Sequence, residues 1–214
     1  PHVVVLRDAD FTDEEREHDA YSVGDDIGLV RVGASGGVSV RIVPKAEQPG
    51  RWRRLKHSLS DDDEVVAVDG DPGAALLVVT HEREDACGGR GSAEGVRAIR
   101  VDMRGDDDAV FELAPADCER APGPFWISST GSEQVVAWVE RRPPGGLPRS
   151  APIRGVAFRV VRPDGARASR ILQAADAVVD AGCDDTGCSL AALVRPPDSD
   201  GMQPAPIRLF AYPR

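Results

Sequence analysis

Apolar positions in this chain come in runs of five to eight residues, mostly Val, Ala, Ile and Leu, divided by Gly, Pro and acidic turns. Short runs with that punctuation predict strands rather than helices. The best-patterned stretch lies between Pro124 and Gln173, where four strands are predicted at 125–128, 134–140, 153–161 and 166–172. The rest of the chain repeats this quartet. First strands are predicted near 21–24, 65–69 and 177–181, and second strands at 27–32, 75–80 and 190–194. Third strands fall at 38–43, 96–102 and 207–212, and fourth strands at 52–59 and 109–113.

Tight turns join the first two strands of three units: Asp69-Gly70-Asp71-Pro72-Gly73, Thr130-Gly131-Ser132 and Asp184-Asp185-Thr186-Gly187. Such residues supply the positive φ and local side-chain bonds that hairpin turns need. Arg162-Pro163-Asp164-Gly165 joins strands three and four of the central unit, and Gly105-Asp106-Asp107-Asp108 holds the same place one unit earlier. A repeat of 50–60 residues built from four antiparallel strands is the sequence form of a β-propeller blade. One such sheet cannot cover both its faces. Packing sheets around an axis buries the faces and leaves only short edges. The predicted fold is therefore all-β, a single propeller domain over 1–214, with blades at about 21–60, 65–113, 124–172 and 177–212.

The ends of the chain bear on closure. The last unit has three strands, and residues 2–7, His-Val-Val-Val-Leu-Arg, are a strand candidate that would supply the fourth and close a four-bladed ring. The alternative is that these are consecutive blades of a larger ring. Between 8 and 19 the chain is acidic, and Thr12 with Glu15 forms a capping-box pattern. That stretch is expected to be either a short helix or a solvated loop.

Val135-Val136-Ala137-Trp138-Val139-Glu140-Arg141-Arg142, followed by Gly155-Val156-Ala157-Phe158-Arg159-Val160-Val161-Arg162-Pro163-Asp164-Gly165, resembles the blade repeat of bacterial secreted or lipoprotein β-propellers. In that repeat a Val-Val-Ala-Trp strand precedes a Val-x-Pro-Asp-Gly hairpin. The resemblance covers this unit well and the others loosely, and it implies an extracytoplasmic propeller. The Trp-Asp endings of WD40 blades and the Ser-x-Asp-x-Gly-x-Thr-Trp boxes of sialidases are missing.

Composition narrows the classes. The formal net charge is −10, which argues against nucleic acid as a partner. Only Lys45 and Lys56 are lysines, and the chain has no Asn, hence no N-linked sequon and no Asn-carbonyl metal cage. Neither a run of 18 apolar residues nor a signal peptide is visible. The chain begins at Pro1 without Met, so a processed chain or part of a longer one is expected.

Four cysteines, Cys87, Cys118, Cys183 and Cys188, allow three pairings. In the propeller reading, Cys183 and Cys188 flank the hairpin between strands one and two of the last unit. Cys87 lies in the loop between strands two and three of its unit, and Cys118 follows strand four of the same unit. Both of those connections lie at the same end of a blade, so Cys87–Cys118 and Cys183–Cys188 are the expected bridges. Bridges imply an oxidising compartment, such as the periplasm or the exterior. Free thiols and a Cys-x4-Cys metal knuckle are the competing readings; the acids near that pair are poor partners for a zinc–thiolate site.

Candidate chemistry is sparse. His2, His18, His57 and His81 show no metal-ligand spacing on one strand. The acidic clusters at 25–26, 61–64, 106–108 and 184–185 read as solvated turns. Asp25, Asp26, Asp69 and Asp184 are placed near the ends of inner strands, where they would ring one mouth of the central channel and offer oxygens to a cation. Arg41, Arg100 and Arg159 recur every 59 residues in third strands and are expected to pair with acids across blades. Trp52, Trp126, Trp138, Phe111, Phe125 and Phe158 are expected in the packing between blades. Ser128 and Ser129 lack a nucleophile elbow, and no glycine-rich phosphate loop precedes a helix.

These readings favour a non-enzymatic extracytoplasmic propeller that binds or scaffolds another protein, without a required cofactor. The loops 83–94, 141–151 and 195–205 are its contact candidates. The alternatives are a carbohydrate-active hydrolase with paired carboxylates at the channel mouth, and an incomplete propeller completed by a partner chain in a larger complex.

Overall fold

The computed structural model describes residues 15–23, 26–43, 52–70, 73–83, 87, 92–103, 108–118, 121–130, 133–141, 153–162, 165–166, 170–172, 175–184, 186–194 and 206–213. They form four antiparallel sheets arranged as the blades of a β-propeller. Blade 1 has the order β1 (Glu15–Val23), β2 (Asp26–Gly33), β3 (Gly37–Val43) and β4 (Arg53–Ser58). Blade 2 follows with β5 (Asp63–Gly70), β6 (Ala74–Arg83), β7 (Ala93–Asp102) and β8 (Asp108–Asp117). In blade 3, β9 (Ala121–Thr130), β10 (Glu133–Arg141) and β11 (Ile153–Arg162) precede two short pieces, β12 (Gly165–Ala166) and β13 (Arg170–Leu172), both paired with β11. Blade 4 is β14 (Ala175–Asp184), β15 (Gly187–Val194) and β16 (Ile207–Pro213). The predicted single fourth strand of blade 3 is thus interrupted. The strand expected at 2–7, residues 84–86 and 88–91 of the loop 83–94, residues 142–151 of the loop 141–151, and the loop 195–205 lie outside the described residues.

One expectation is corrected. The acidic stretch enters β1 at Glu15, with no helix there. Capping chemistry is a local preference, and residues 15–23 instead find a full antiparallel partner in β2, from Glu15 opposite Gly33 to Val23 opposite Asp26. Tertiary pairing overrides the local signal. Blade 1 accordingly begins about six residues before the predicted first strand.

The strands alternate, so each blade has two distinct faces. The face toward the next blade in sequence is called outgoing, the other incoming. The outgoing face of blade 1, with Val30, Val32, Val38 and Val40, packs on Ala75, Leu77, Val79, Ile99 and Val101 of blade 2. Leu76, Val78, Val96 and Ala98 carry blade 2 onto Val136, Trp138, Ala157 and Val161 of blade 3. Val135, Ala137, Val156 and Phe158 carry blade 3 onto Cys188, Leu190, Ala192 and Val194 of blade 4. Phe158 is fully buried and stacks on Tyr212 at 4.5 Å; burying one such side chain stabilises by about 1.5–3 kcal/mol. The inner strands follow the same order: β1 lies on β5, β5 on β9 and β9 on β14. Among the described residues, β14 makes no comparable packing against β1.

Each inner strand carries a β-bulge in its first half. The extra residue is Arg16 in β1, Val66 in β5 and Asp176 in β14, and in β9 it falls at Gly123-Pro124. A bulge bends and twists a strand locally. It also sends two consecutive residues to one face. In β5, Val65 and Val68 face blade 1, while Val66 and Ala67 both face blade 3. A second bulge in β14, between Val178 and Asp180, repeats that pattern in blade 4.

Turns hold the hairpins in register. Gly36 has φ of 76°, and a Cβ there would stand 1.9 Å from the carbonyl oxygen of Leu59. Only glycine fits this junction of the β2–β3 turn and the end of the blade. At the β14–β15 turn, Asp184 Oδ1 accepts from Thr186 N, Thr186 Oγ1 and Gly187 N at 2.7, 2.6 and 3.2 Å. That carboxylate replaces backbone partners the turn cannot supply. Two disulfides staple the chain. Cys87 is bonded to Cys118, and Cys183 to Cys188, its direct cross-strand neighbour.

Candidate functional site

Among the described residues, the most exposed large apolar side chains gather on blade 4. Leu209 is 71% exposed, Ile207 62% and Val179 45%. All three belong to its outgoing face. Ile207 and Leu209 pair with Leu193 and Ala191 of β15, opposite in sense to the buried Cys188, Leu190, Ala192 and Val194. Val179 and Asp180 occupy the bulge that corresponds to Val66 and Ala67 of blade 2, which are packed against blade 3. β16 is also the last strand of its sheet among the described residues, paired with β15 on one side. Ile207, Leu209 and Val179 are thus exposed on the face that corresponds to the one packed in three other joints, beside the last strand of this sheet among the described residues.

The incoming face of blade 1 is dressed differently. Arg31 and Arg41 lie on this face, and both guanidiniums lie over the Trp52 ring, at 4.2 Å and 4.8 Å from its centroid. Guanidiniums over an indole are held by its ring quadrupole. The three incoming faces inside the molecule are mainly aliphatic by contrast.

Blade 2 holds two polar groups, one on each face. On its incoming face, Asp63 accepts from Ser60 N at 2.7 Å, from Ser60 Oγ at 2.8 Å and from the Arg97 guanidinium. Burial alone would raise this carboxyl, but those donors outweigh it and hold it below the ordinary value. His81 lies directly opposite Asp63. Burial and then the Arg97 charge keep its imidazole below the usual value, against the pull of Glu112 and Asp63. On the outgoing face, Glu82, Glu94 and Asp117 stand opposite one another on β6, β7 and β8. Burial and the neighbouring Glu82 push Glu94 up to about 7.

The structure disperses most of the sequence candidates. His57 lies 3.7 Å from Asp108, which also accepts from the backbone N–H groups of Lys56 and His57 at 3.1 and 3.4 Å, tying blade 1 to blade 2. Asp69 and Asp184 stand at the hairpin ends of β5 and β14, and Asp26 opens β2 at the corresponding hairpin of blade 1; Asp25 lies outside the described residues, as do Asp106, Asp107, Asp185 and His2. Among the described residues, no group of three or more His, Cys, Asp or Glu is placed to hold a metal ion. The arginines spaced by 59 do not face alike. Arg41 and Arg159 are on incoming faces, whereas Arg100, opposite Leu76, is on an outgoing one. Arg159 does reach across a joint, where its Nε donates to the Leu113 carbonyl at 2.8 Å. Trp138, Phe158 and Phe125 lie in the joints.

Two features had no sequence signal that could be read in isolation. Trp52 reads as a core aromatic, and only the register that brings Arg31 and Arg41 beside it shows its ring stacked with two guanidiniums. Ile207-Arg208-Leu209-Phe210-Ala211-Tyr212 alternates as a buried strand does. Phe210 and Tyr212 pack against blade 3's cluster, and nothing in the residues themselves distinguishes that face from the exposed one.

No family model matches the chain, and no curated protein sequence does. Among solved structures it is similar to a mutant of the apocarotenoid oxygenase of Synechocystis, at 6% identity and a TM-score of 0.47, over 88% of this chain and 47% of that one. It is also similar to the catalytic domain of the β-fructofuranosidase of Microbacterium saccharophilum, at 12% identity and a TM-score of 0.33, over 89% of this chain and 58% of that one. The chain thus spans about half the length of the structures it matches. Likenesses at these scores bear on neither activity nor ligand.

Proposed function

We propose that this chain is a non-enzymatic, extracytoplasmic propeller module that binds another protein through the outgoing face of blade 4. The observation that carries the reading is the exposure of Ile207, Leu209 and Val179 on a face whose counterparts in blades 1, 2 and 3 pack against the next blade. Exposed apolar surface beside the last strand that the described residues place in this sheet favours a partner that presents a sheet. The two disulfides support an oxidising compartment. No helix among the described residues is long and apolar enough to cross a membrane.

A photoreactive amino acid tests this reading in expressing cells. In place of Leu209 it should give a discrete protein adduct, and in place of Ala34, exposed in the β2–β3 turn, it should not. Equal labelling at both positions overturns the reading.

A carbohydrate-active hydrolase is the second reading, and one observation favours it. Glu94 keeps its proton to about 7 beside Glu82, its cross-strand partner. A carboxyl that stays protonated near neutrality next to a second carboxylate has the makings of an acid catalyst. Against it, both residues lie on the second and third strands of a blade, away from the axis. Turnover of nitrophenyl glycosides by the wild type, lost in Glu94→Gln, would establish this reading; no turnover sinks it.

A further inference from the structure

We infer that His81 is a pH-sensitive latch on the crossing from blade 1 to blade 2. Once protonated, it takes an oxygen of Asp63 from Ser60 and opens the turn at 60–63. None of these residues belongs to the binding reading above.

The crossing is held by one carboxylate. Asp63 Oδ2 accepts from Ser60 N and Ser60 Oγ, and Oδ1 accepts from the Arg97 guanidinium. Around this centre the Asp63 N–H donates to the Ser60 carbonyl at 3.2 Å, the Glu82 N–H to that of Asp62 at 3.0 Å and the Leu59 N–H to that of Gly36 at 2.8 Å. Leu59 is buried in the apolar cluster between the two blades. Loss of the Ser60–Asp63 contacts therefore loosens the chain where those blades meet.

His81 lies directly across from Asp63, on β6. It is 8% exposed, and its Nδ1 is buried with no hydrogen-bond partner among the described residues. The ring is seated on Gly95, where a Cβ would stand 2.2 Å from Cε1 and 2.5 Å from Nε2. A neutral imidazole forgoes one hydrogen bond in this seat. An imidazolium brings a buried charge and a second N–H donor, and that donor must find an acceptor.

The charged groups that act on the ring are Arg97 of β7, Glu112 of β8, Asp63 of β5 and Arg83 of its own strand. Glu112 and Arg83 are exposed, as are Asp61 and Asp62 in the crossing, so water screens them. Glu82 and Glu94 stand on the other face of the sheet. Asp63 is thus the buried anion that answers an imidazolium. Burial, and then the Arg97 charge, keep the ring neutral until the pH falls below 6.5.

Both oxygens of Asp63 already have donors, so a further donor must displace one. Arg97 adds the attraction of opposite charges to its hydrogen bond, and Ser60 does not. Ser60 is the donor that yields. It is already exposed, so water takes up its released groups. The acid form has Asp63 between Arg97 and His81, with the turn open.

The test is an NMR titration of the full chain from about pH 8 to about pH 5, the range in which histidine changes charge. It follows the His81 ring protons and the Ser60 amide. The ring should titrate below 6.5, and the Ser60 amide should move upfield with the same midpoint, as its bond to the carboxylate is lost. An amide that stays still, or moves only where carboxylates titrate, overturns the inference. This measurement needs no variant, so it stands whether or not the next one folds. Arg97→Gln leaves Asp63 Oδ1 to the imidazolium. The ring midpoint should then rise, and the Ser60 amide should keep its place through that step. A Ser60 amide that still follows the ring in Arg97→Gln overturns the exchange of partners.

Discussion

The imidazole of His81 lies over its cross-strand partner Gly95 so closely that a Cβ at position 95 would stand 2.2 Å from Cε1. The backbone amide of Ala116 would stand 3.0 Å from that same Cβ, so the added methyl is crowded by backbone as well as by the ring. Gly95→Ala is therefore expected to destabilise the fold by about 1–3 kcal/mol, the usual cost of overpacking. Urea denaturation measures it. In a His81→Ala background the same change should cost much less. Equal cost in both backgrounds would place the strain elsewhere.

The indole N–H of Trp138 donates to Glu140 Oε1 at 2.9 Å, between two buried residues two positions apart on β10. Trp138→Phe keeps most of the ring and removes this donor. The expected loss is about 1–3 kcal/mol, the cost of leaving a buried acceptor short of a partner. Glu140→Gln, which keeps an acceptor oxygen, should cost less. Denaturant midpoints for the two variants decide the order.

Glu94 supplies a pH dependence of definite sign. Its carboxyl is raised to about 7 from an unfolded value of 4.5, so between these values the native state binds the proton more tightly. Its contribution is full below 4.5 and is lost as pH rises through about 7. Glu94→Gln should thus be more stable than wild type at pH 8 and lose that advantage at pH 4. Discounted for the part of the side chain in water, the gain is of order 1 kcal/mol. His81, whose value is lowered, works in the opposite direction, its contribution falling away as pH drops below 6.5. The difference between wild type and Glu94→Gln isolates the carboxyl.

The two disulfides should differ in their effect on stability. Cys87 and Cys118 are 31 residues apart, and Cys183 and Cys188 are five apart. Loop-closure entropy gives about 3.7 kcal/mol for the long bridge and about 2 kcal/mol for the short one. Replacing each pair by serine and comparing denaturant midpoints checks the ranking. A larger loss from the short bridge would mean that packing within blade 4, rather than chain entropy, dominates there.

Strand existence and blade grouping were legible because a buried sheet between two neighbours needs apolar residues on both faces. Val135 to Val139 and Ala75 to Val79 show this plainly in their runs. The entry of β1 at Glu15 was not legible, since Glu-Arg-Glu-His-Asp carries no strand pattern and is recruited by pairing with β2. The faces of the regularly spaced arginines were misleading for a related reason. A period of 59 equates Arg100 with Arg41 and Arg159, yet the register places it on the other side of its sheet. The exposed patch at Ile207 and Leu209 depends on what lies beside blade 4, and composition carries no record of a neighbour.

The bulges in the four inner strands have a consequence for anyone who would rebuild this molecule. The extra residue near the start of each inner strand sets which side chains turn toward the preceding blade and which toward the following one. Since side chains alternate with a period of two, deleting that residue would exchange the two sets over the part of the strand before it. A blade is therefore interchangeable only as a phased unit. A transplanted or consensus blade that omits the extra residue would keep its hydrogen-bonded ladder, and still present polar positions to one neighbour and apolar positions to solvent.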